Sequence, residues 1–230
     1  MEPCGSTIRE RAHAQPHPRG SSATLCTQWI NQVSIKTNIF LVRHGETEWN
    51  RQQRLQGQKN SPLTKKGIQQ AFKVKEALER HEIHKAYVSP LQRALYTIDI
   101  ILDGREIEVV RSSNLKEINL GPWEGKTREE TEQSHPAEYI MFWEKQDRFA
   151  LLGAETYRQL QIRVVDELNT IFSKEKNNNI LVVSHWIAIK VALAYYTSTP
   201  LHQLSNIPDP GNGAFLTLSC QDNNISIHGV

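Results

Sequence analysis

Two short runs of the sequence, Ile39-Phe40-Leu41-Val42 and Ile180-Leu181-Val182-Val183, are apolar at every position. A strand with one face in water alternates apolar and polar residues; one that never alternates has both faces covered. The segments between have a different period. "SPLTKKGIQQAFKVKEALER" (61–80) places Ile68, Ala71, Val74 and Leu78 at helical spacing, with Thr64 in position to cap. "ETYRQLQIRVVDELNTIFSKEK" (155–176) does the same with Leu160, Val164, Leu168 and Ile171. Further strands are read in "KAYVSP", "IEVVRS", "GAFLTLSC" and "NISIHGV", the last two antiparallel to their neighbours; further helices are read in "LQRALYTIDIIL" and "WIAIKVALAYYT". Strands that alternate with helices and are covered on both sides predict an α/β fold. The expected form is a three-layer α/β/α sandwich with a mostly parallel central sheet and a small helical cap.

The regular pattern begins near Ile35. Residues 1–34 carry no sustained period and are expected to form a flexible extension, with residues 35–230 as one catalytic domain. The three cysteines, Cys4, Cys26 and Cys220, have neither a disulfide-framework nor a metal-ligand spacing, which fits a reducing, cytoplasmic setting. No apolar run approaches the roughly 20 residues of a membrane helix. The formal net charge of +2, without a block of like charges, gives no reason to expect nucleic acid or a membrane surface as partner.

In such a sheet ligands bind beyond the carboxyl ends of the strands. Two strands end toward a histidine there, "FLVRH" at His44 and "LVVSH" at His185, and a third leads through Pro90 to Arg93. Two histidines and two arginines, Arg43 and Arg93, can therefore converge on one edge. A guanidinium matches phosphate oxygens bidentately, and the helices that start near Leu91 and Trp186 would add N-terminal N–H groups. A neutral imidazole is nucleophilic near pH 7. Each residue alone reads as an ordinary turn, surface or core position, and spacing does not prove that they meet.

Arg43-His44-Gly45-Glu46-Thr47 with Trp49-Asn50 resembles the signature of the histidine phosphatase superfamily, in its phosphoglycerate mutase-like branch. "RLQGQKNSPLTKKGIQQA", "SPLQRALYT", "LKEINLGPWEG" and "ILVVSH" extend the resemblance, in order, over about residues 36–220. It implies that His44 is the nucleophile and that Arg43, Arg93 and His185 bind the transferring phosphoryl oxygens with help from Asn50. It also puts Gln56 and Gly57 at the pocket rim and makes Glu117 the general acid, then base. Gly45 would allow the tight turn that aims His44 into the pocket. The implied activity is metal-independent hydrolysis of a small phosphorylated metabolite, with no cofactor. A cofactor-dependent phosphoglycerate mutase and a non-catalytic phospho-ligand binder are the alternatives.

The chain departs from the family pattern in three places: Trp186 stands where glycine usually follows the second histidine, Asn60 where aspartate is common, and "GAET" (153–156) for Gly-Gly-Glu-Ser. None removes a catalytic group. The Trp186 indole is expected at the pocket mouth or turned into the cap. The cap is expected between Lys126 and Gly153, where Tyr139, Met141, Phe142, Trp143 and Phe149 either cover a leaving group or pack the cap onto the core. Oligomeric state is not legible.

Overall fold

A computed structural model describes residues 36–229. The extension expected over residues 1–34 lies outside them. The apolar run beginning at Ile39 lies in strand β1 (Lys36–Arg43), and the second run in β4 (Asn179–Ser184). The two pair in parallel at the centre of one six-stranded sheet, of order β3-β2-β4-β1-β5-β6. Strands β2 (Lys85–Val88) and β3 (Val109–Arg111) extend the parallel part on one side. On the other side β5 (Phe215–Gln221) and β6 (Asn224–His228) are antiparallel, as expected for the closing strands.

Both faces of β1 are occupied, which is why it reads as apolar throughout. Ile39 and Leu41 point into a core built with α6 (Tyr157–Lys174) and α7 (Trp186–Tyr196). Phe40 and Val42 point the other way, into a core built with α2 (Lys65–Ala77) and α3 (Gln92–Leu102). The result is the expected three layers. Helix α7 is apolar nearly all round, with eight residues buried, because it lies between the sheet and other protein. Its partner α6 is amphipathic and starts at a capping box in which Thr156 and Gln159 satisfy each other's backbone N–H.

The short helix α1 (Glu48–Arg51) follows β1, and the next helix, α2, corrects one expectation. Thr64 does cap it, accepting from the Gly67 N–H at 3.0 Å. Its buried positions, however, include Gly67, Ala71 and Val74, while Ile68 is 39% exposed. The reason is a backbone-to-backbone approach. A Cβ on Gly45 would lie 2.3 Å from the Gly67 carbonyl oxygen, and one on Gly67 would lie 2.1 Å from the Glu46 oxygen. The helix turns its glycine, not its isoleucine, toward the loop after β1. The role expected for Gly45 is corrected with it: its φ is not positive, and close approach rather than a special turn requires a glycine there.

The segment between β3 and α6 folds as a cap from short helices, including α4 (Arg128–Ser134) and α5 (Pro136–Glu144). Its aromatics serve mainly as core. Phe142 and Phe149 are almost fully buried and pack on Trp123 and Tyr157, with ring centroids 5.1–5.9 Å apart. Trp143, half-buried like Tyr139 and Met141, also lines the wall of the site. No helix among the described residues is long and apolar enough to cross a membrane.

Candidate active site

Three adjacent strands, β2, β4 and β1, end on one edge of the sheet and deliver three side chains to one point. Beyond β1 comes His44, whose backbone N–H still donates to Ser184 of β4 at 3.1 Å. Beyond β4 comes His185, at the start of α7. Beyond β2 the chain passes Ser89 and enters α3, whose second residue is Arg93. The two imidazole centroids are 5.1 Å apart. Arg93 Nε lies 3.2 Å from His44 Nε2 and 3.2 Å from His185 Nδ1, so one N–H is shared by both rings.

The neighbours fix the tautomers. His44 Nδ1 is 2.7 Å from the Gly45 carbonyl oxygen, which can only accept, so Nδ1 carries the proton. The lone pair of His44 therefore sits on Nε2, toward Arg93. His185 accepts from Arg93 at Nδ1 and donates from Nε2 to the Ser89 hydroxyl at 2.7 Å. Burial, reinforced by the Arg93 and Arg43 charges, holds the His44 pKa well below its usual value. Burial, followed by Arg93 and the other ring, does the same to His185. Both rings are neutral near pH 7. Burial also lowers Arg43 and Arg93 to about 10, which leaves both charged near neutrality. Arg93 is anchored in the loop before α2, donating to the Gly57 and Lys59 carbonyls at 2.7 Å each.

A cavity of about 320 Å³ opens over this point. Its wall includes Arg43, His44, Asn50, Gln56, Gly57 and Arg93, together with Glu117 and Trp186. Every sequence-predicted residue except His185 reaches the wall; His185 is fully buried just behind Arg93. Asn50 has a determined orientation. The Thr47 N–H donates to its Oδ1 at 3.1 Å, so its Nδ2 donor must face away. The Thr47 hydroxyl also donates to Asn50 Oδ1 at 3.1 Å and accepts from Gln56 Nε2 at 2.7 Å. This leaves Gln56 Oε1 buried without a partner, and Arg43 Nε is buried and unpartnered too. Such orphaned groups are uncommon in folded interiors.

The helix N-termini differ from expectation. The Ile187 and Ala188 N–H groups of α7 donate to the Glu117 carboxylate at 3.1 and 3.2 Å, and Ile118 N–H adds a third bond at 2.9 Å. The Gln92 N–H of α3 goes to Asn60 Oδ1 at 3.0 Å. Both helix ends are thus occupied by side chains, and the amide oxygen of Asn60 caps as an aspartate's would. Trp186 lies half-buried at the mouth. Its indole N–H donates to Asp209 at 3.0 Å, its ring is 6.0 Å from Trp143, and the Arg43 guanidinium sits 5.7 Å above it.

Sequence reasoning did not find Ser89, Asp209, Pro210 or Asn212. Ser89 orients His185. The Pro210 carbonyl accepts from Arg43 at 2.8 Å, and Asn212 donates to Asn50 Oδ1 at 3.2 Å. Ser89 carried a usable signal, a polar residue at the carboxyl end of a strand. The "PDPGNG" loop showed only turn residues, and its return to the site depends on the antiparallel path of β5.

Residues 39–230 match the model of the histidine phosphatase superfamily (branch 1). The chain is 35% identical over 164 residues to the metal-independent phosphoserine phosphatase of Arabidopsis thaliana, covering 69% of each chain. It is also 35% identical over 152 residues to the probable phosphoglycerate mutase GpmB of Salmonella paratyphi A, covering 66% of this chain and 70% of that one. Among solved structures, Bacillus stearothermophilus YhfR superposes with a TM-score of 0.81 at 33% identity, over 83% of this chain and 95% of that chain. The signature around His44, the order of the strands and the profile match agree, and the chain belongs to the histidine phosphatase superfamily, in its branch 1.

Proposed function

We propose that residues 35–230 form a phosphomonoester hydrolase that acts on a small phosphorylated metabolite through a phosphohistidine at His44, without a metal. The observation that carries this reading is the shared N–H of Arg93, 3.2 Å from the lone pair of His44 and from His185. Two imidazole nitrogens face one point, and that point is lined by cations.

The reaction follows from the groups in place. A phosphoryl group enters above His44 Nε2. Its equatorial oxygens take N–H donors from Arg93, from the orphaned Arg43 Nε, and from Asn50 Nδ2. As Arg93 turns its Nε–H to the phosphoryl group, His185 Nδ1 is released. In the field of the phosphoryl group His185 takes a proton from solvent, which it returns when phosphate leaves, and becomes a further donor. The Nε2 lone pair attacks phosphorus in line, the P–N bond forms and the ester P–O bond breaks. Glu117, protonated when the ester is bound, gives that proton to the departing alkoxide. Water then attacks the phosphohistidine, Glu117 takes its proton, and inorganic phosphate leaves as the P–N bond breaks. The three cysteines have neither the sequence spacing of a disulfide framework nor that of a metal site, which supports a reducing, cytoplasmic setting.

The test is trapping. Rapid acid-free quenching of the enzyme with a labelled phosphomonoester should leave acid-labile label on His44, and His44→Ala should abolish both label and phosphate release. Turnover that survives in His44→Ala would refute the mechanism. The likeness to a probable mutase favours one second reading, return of the phosphoryl group to a phosphoglycerate instead of water. A bisphosphoglycerate-dependent mutase assay run beside phosphate release separates the two.

A further inference from the structure

Of the three departures from the family pattern, Trp186 alone lines the cavity over His44. A second cavity, of about 330 Å³, adjoins the first. Trp186, Trp143 and Asp209 belong to the walls of both, and the second runs on to Gln146, Lys190 and Ser205. The indole therefore stands at the boundary between the two spaces, and its position decides how much room a leaving group finds.

That position depends on one directional contact. The Trp186 ring has Arg43 at 5.7 Å, Lys190 at 5.8 Å and the Trp143 ring at 6.0 Å, all near the outer limit of such ring contacts. Among the described residues its N–H has a single acceptor, Asp209 Oδ1 at 3.0 Å. Asp209 lies in the loop before β5, with its side chain 64% exposed. Lys190 pins it. The lysine side chain is only 10% exposed, and its ammonium donates to the same Oδ1 at 2.5 Å. Lys190 follows Trp186 by four residues, so both donors project from one face of α7. The loop on the far side of Asp209 is tied down as well, by the Pro210 carbonyl to Arg43 and by Asn212 to Asn50.

We infer that Asp209 is a positioning residue for leaving-group selection: it latches the Trp186 indole between the two cavities and so limits the size of the alcohol that the site accepts. The inference rests on the hydrolase reading above and adds to it the residue that sets its selectivity by size. Without the latch the indole keeps only non-directional contacts, it swings aside, and the two cavities join. The charge lost with Asp209 acts on Arg43 and hence on the phosphoryl group, which every ester shares, so it cancels in a ratio of two esters.

That ratio is the measurement. Naphthylethyl phosphate and ethyl phosphate have alkyl leaving groups of similar basicity and differ in bulk. Asp209→Ala should raise the ratio of their kcat/KM values, bulky over small, at least about fivefold, and Trp186→Gly should raise it at least as far. In the Trp186→Gly background Asp209→Ala should change the ratio by less than about twofold, because the latch then has nothing to hold. Asp209→Asn, which keeps an Oδ1 acceptor and drops the charge, should retain the wild-type ratio. A ratio unchanged in Asp209→Ala, additive effects in the double variant, or Asp209→Asn as relaxed as Asp209→Ala would each overturn the latch; a fall in melting temperature alone is the first of these outcomes. The matching naphthylethyl- and ethylphosphonates, whose C–P bond is not cleaved, give the same comparison as Kd values. A wild-type protein that hydrolyses neither ester nor p-nitrophenyl phosphate refutes the hydrolase reading, and the phosphonate ratios still decide the role of Asp209.

Discussion

Acidification should destabilise the unliganded protein through His44 and His185, and the size of the effect follows from their burial. Both rings are fully buried, and both pKa values are pushed well below 6.5, by desolvation first and then by neighbouring cations. A group whose folded pKa is depressed contributes stability above its unfolded value, and that stability is lost as pH falls toward the folded pKa. Between the two values the unfolded chain binds one more proton per ring than the folded chain. The unfolding free energy then falls by about 1.4 kcal/mol per pH unit for each histidine. One unit below 6.5 the two rings together have removed about 3 kcal/mol, a large part of the roughly 5–15 kcal/mol of a typical domain. The window from pH 6.5 to 5.5 lies above the ordinary titration of carboxylates, so the histidines dominate it. Urea unfolding in phosphate-free buffer at several pH values measures the slope. Replacing His44 or His185 by Gln should reduce it by about half, and replacing both should remove this contribution. Parallel slopes in wild type and the double variant would refute the claim that these rings are neutral in the fold.

Other outcomes are expected. Glu117→Gln should slow alkyl phosphates far more than p-nitrophenyl phosphate, whose leaving group needs little protonation; equal losses on both would remove Glu117 as the acid. Trp186→Gly should widen acceptance of bulky esters while the rate on a small ester stays within about tenfold, because the indole forms the mouth and not the phosphoryl site. An unchanged substrate ranking, with a lowered melting temperature alone, would make the indole purely structural. Gly45→Ala should cost at least about 1–3 kcal/mol, since the new methyl group would collide with the Gly67 carbonyl and neither backbone has a side chain to rearrange. An unchanged unfolding midpoint would show that α2 moves freely away from the loop.

How far the molecule is legible in its sequence depends on which interactions decide each feature. The strands at 39–42 and 180–183 are readable because burial on both faces leaves a local mark, an unbroken apolar run. Their adjacency is not, since β1 and β4 pair across about 140 residues of chain. The same holds for the site. His44, Arg93 and His185 are visible as residues that follow strands, yet their meeting at one N–H requires the β2-β4-β1 order, which spacing does not encode; the family resemblance supplied it. Periodicity places Ile68 on the buried face of α2 because it weighs side chains, whereas a contact between two glycine backbones orients that helix. Trp186 was open to two readings because its partner Asp209 comes from a loop whose residues announce only a turn.

The shared N–H of Arg93 has one more consequence. It covers the lone pair on His44 Nε2, and the other imidazole holds it there. Under the proposed mechanism the reactive atom is thus masked by the group that then helps bind the phosphoryl oxygens. A stray electrophile, lacking oxygens to draw the guanidinium aside, meets a nitrogen already engaged in a hydrogen bond. Under the proposed mechanism an anion that competes for Arg93 uncovers it, and His44 would stay silent until its own ligand unmasks it.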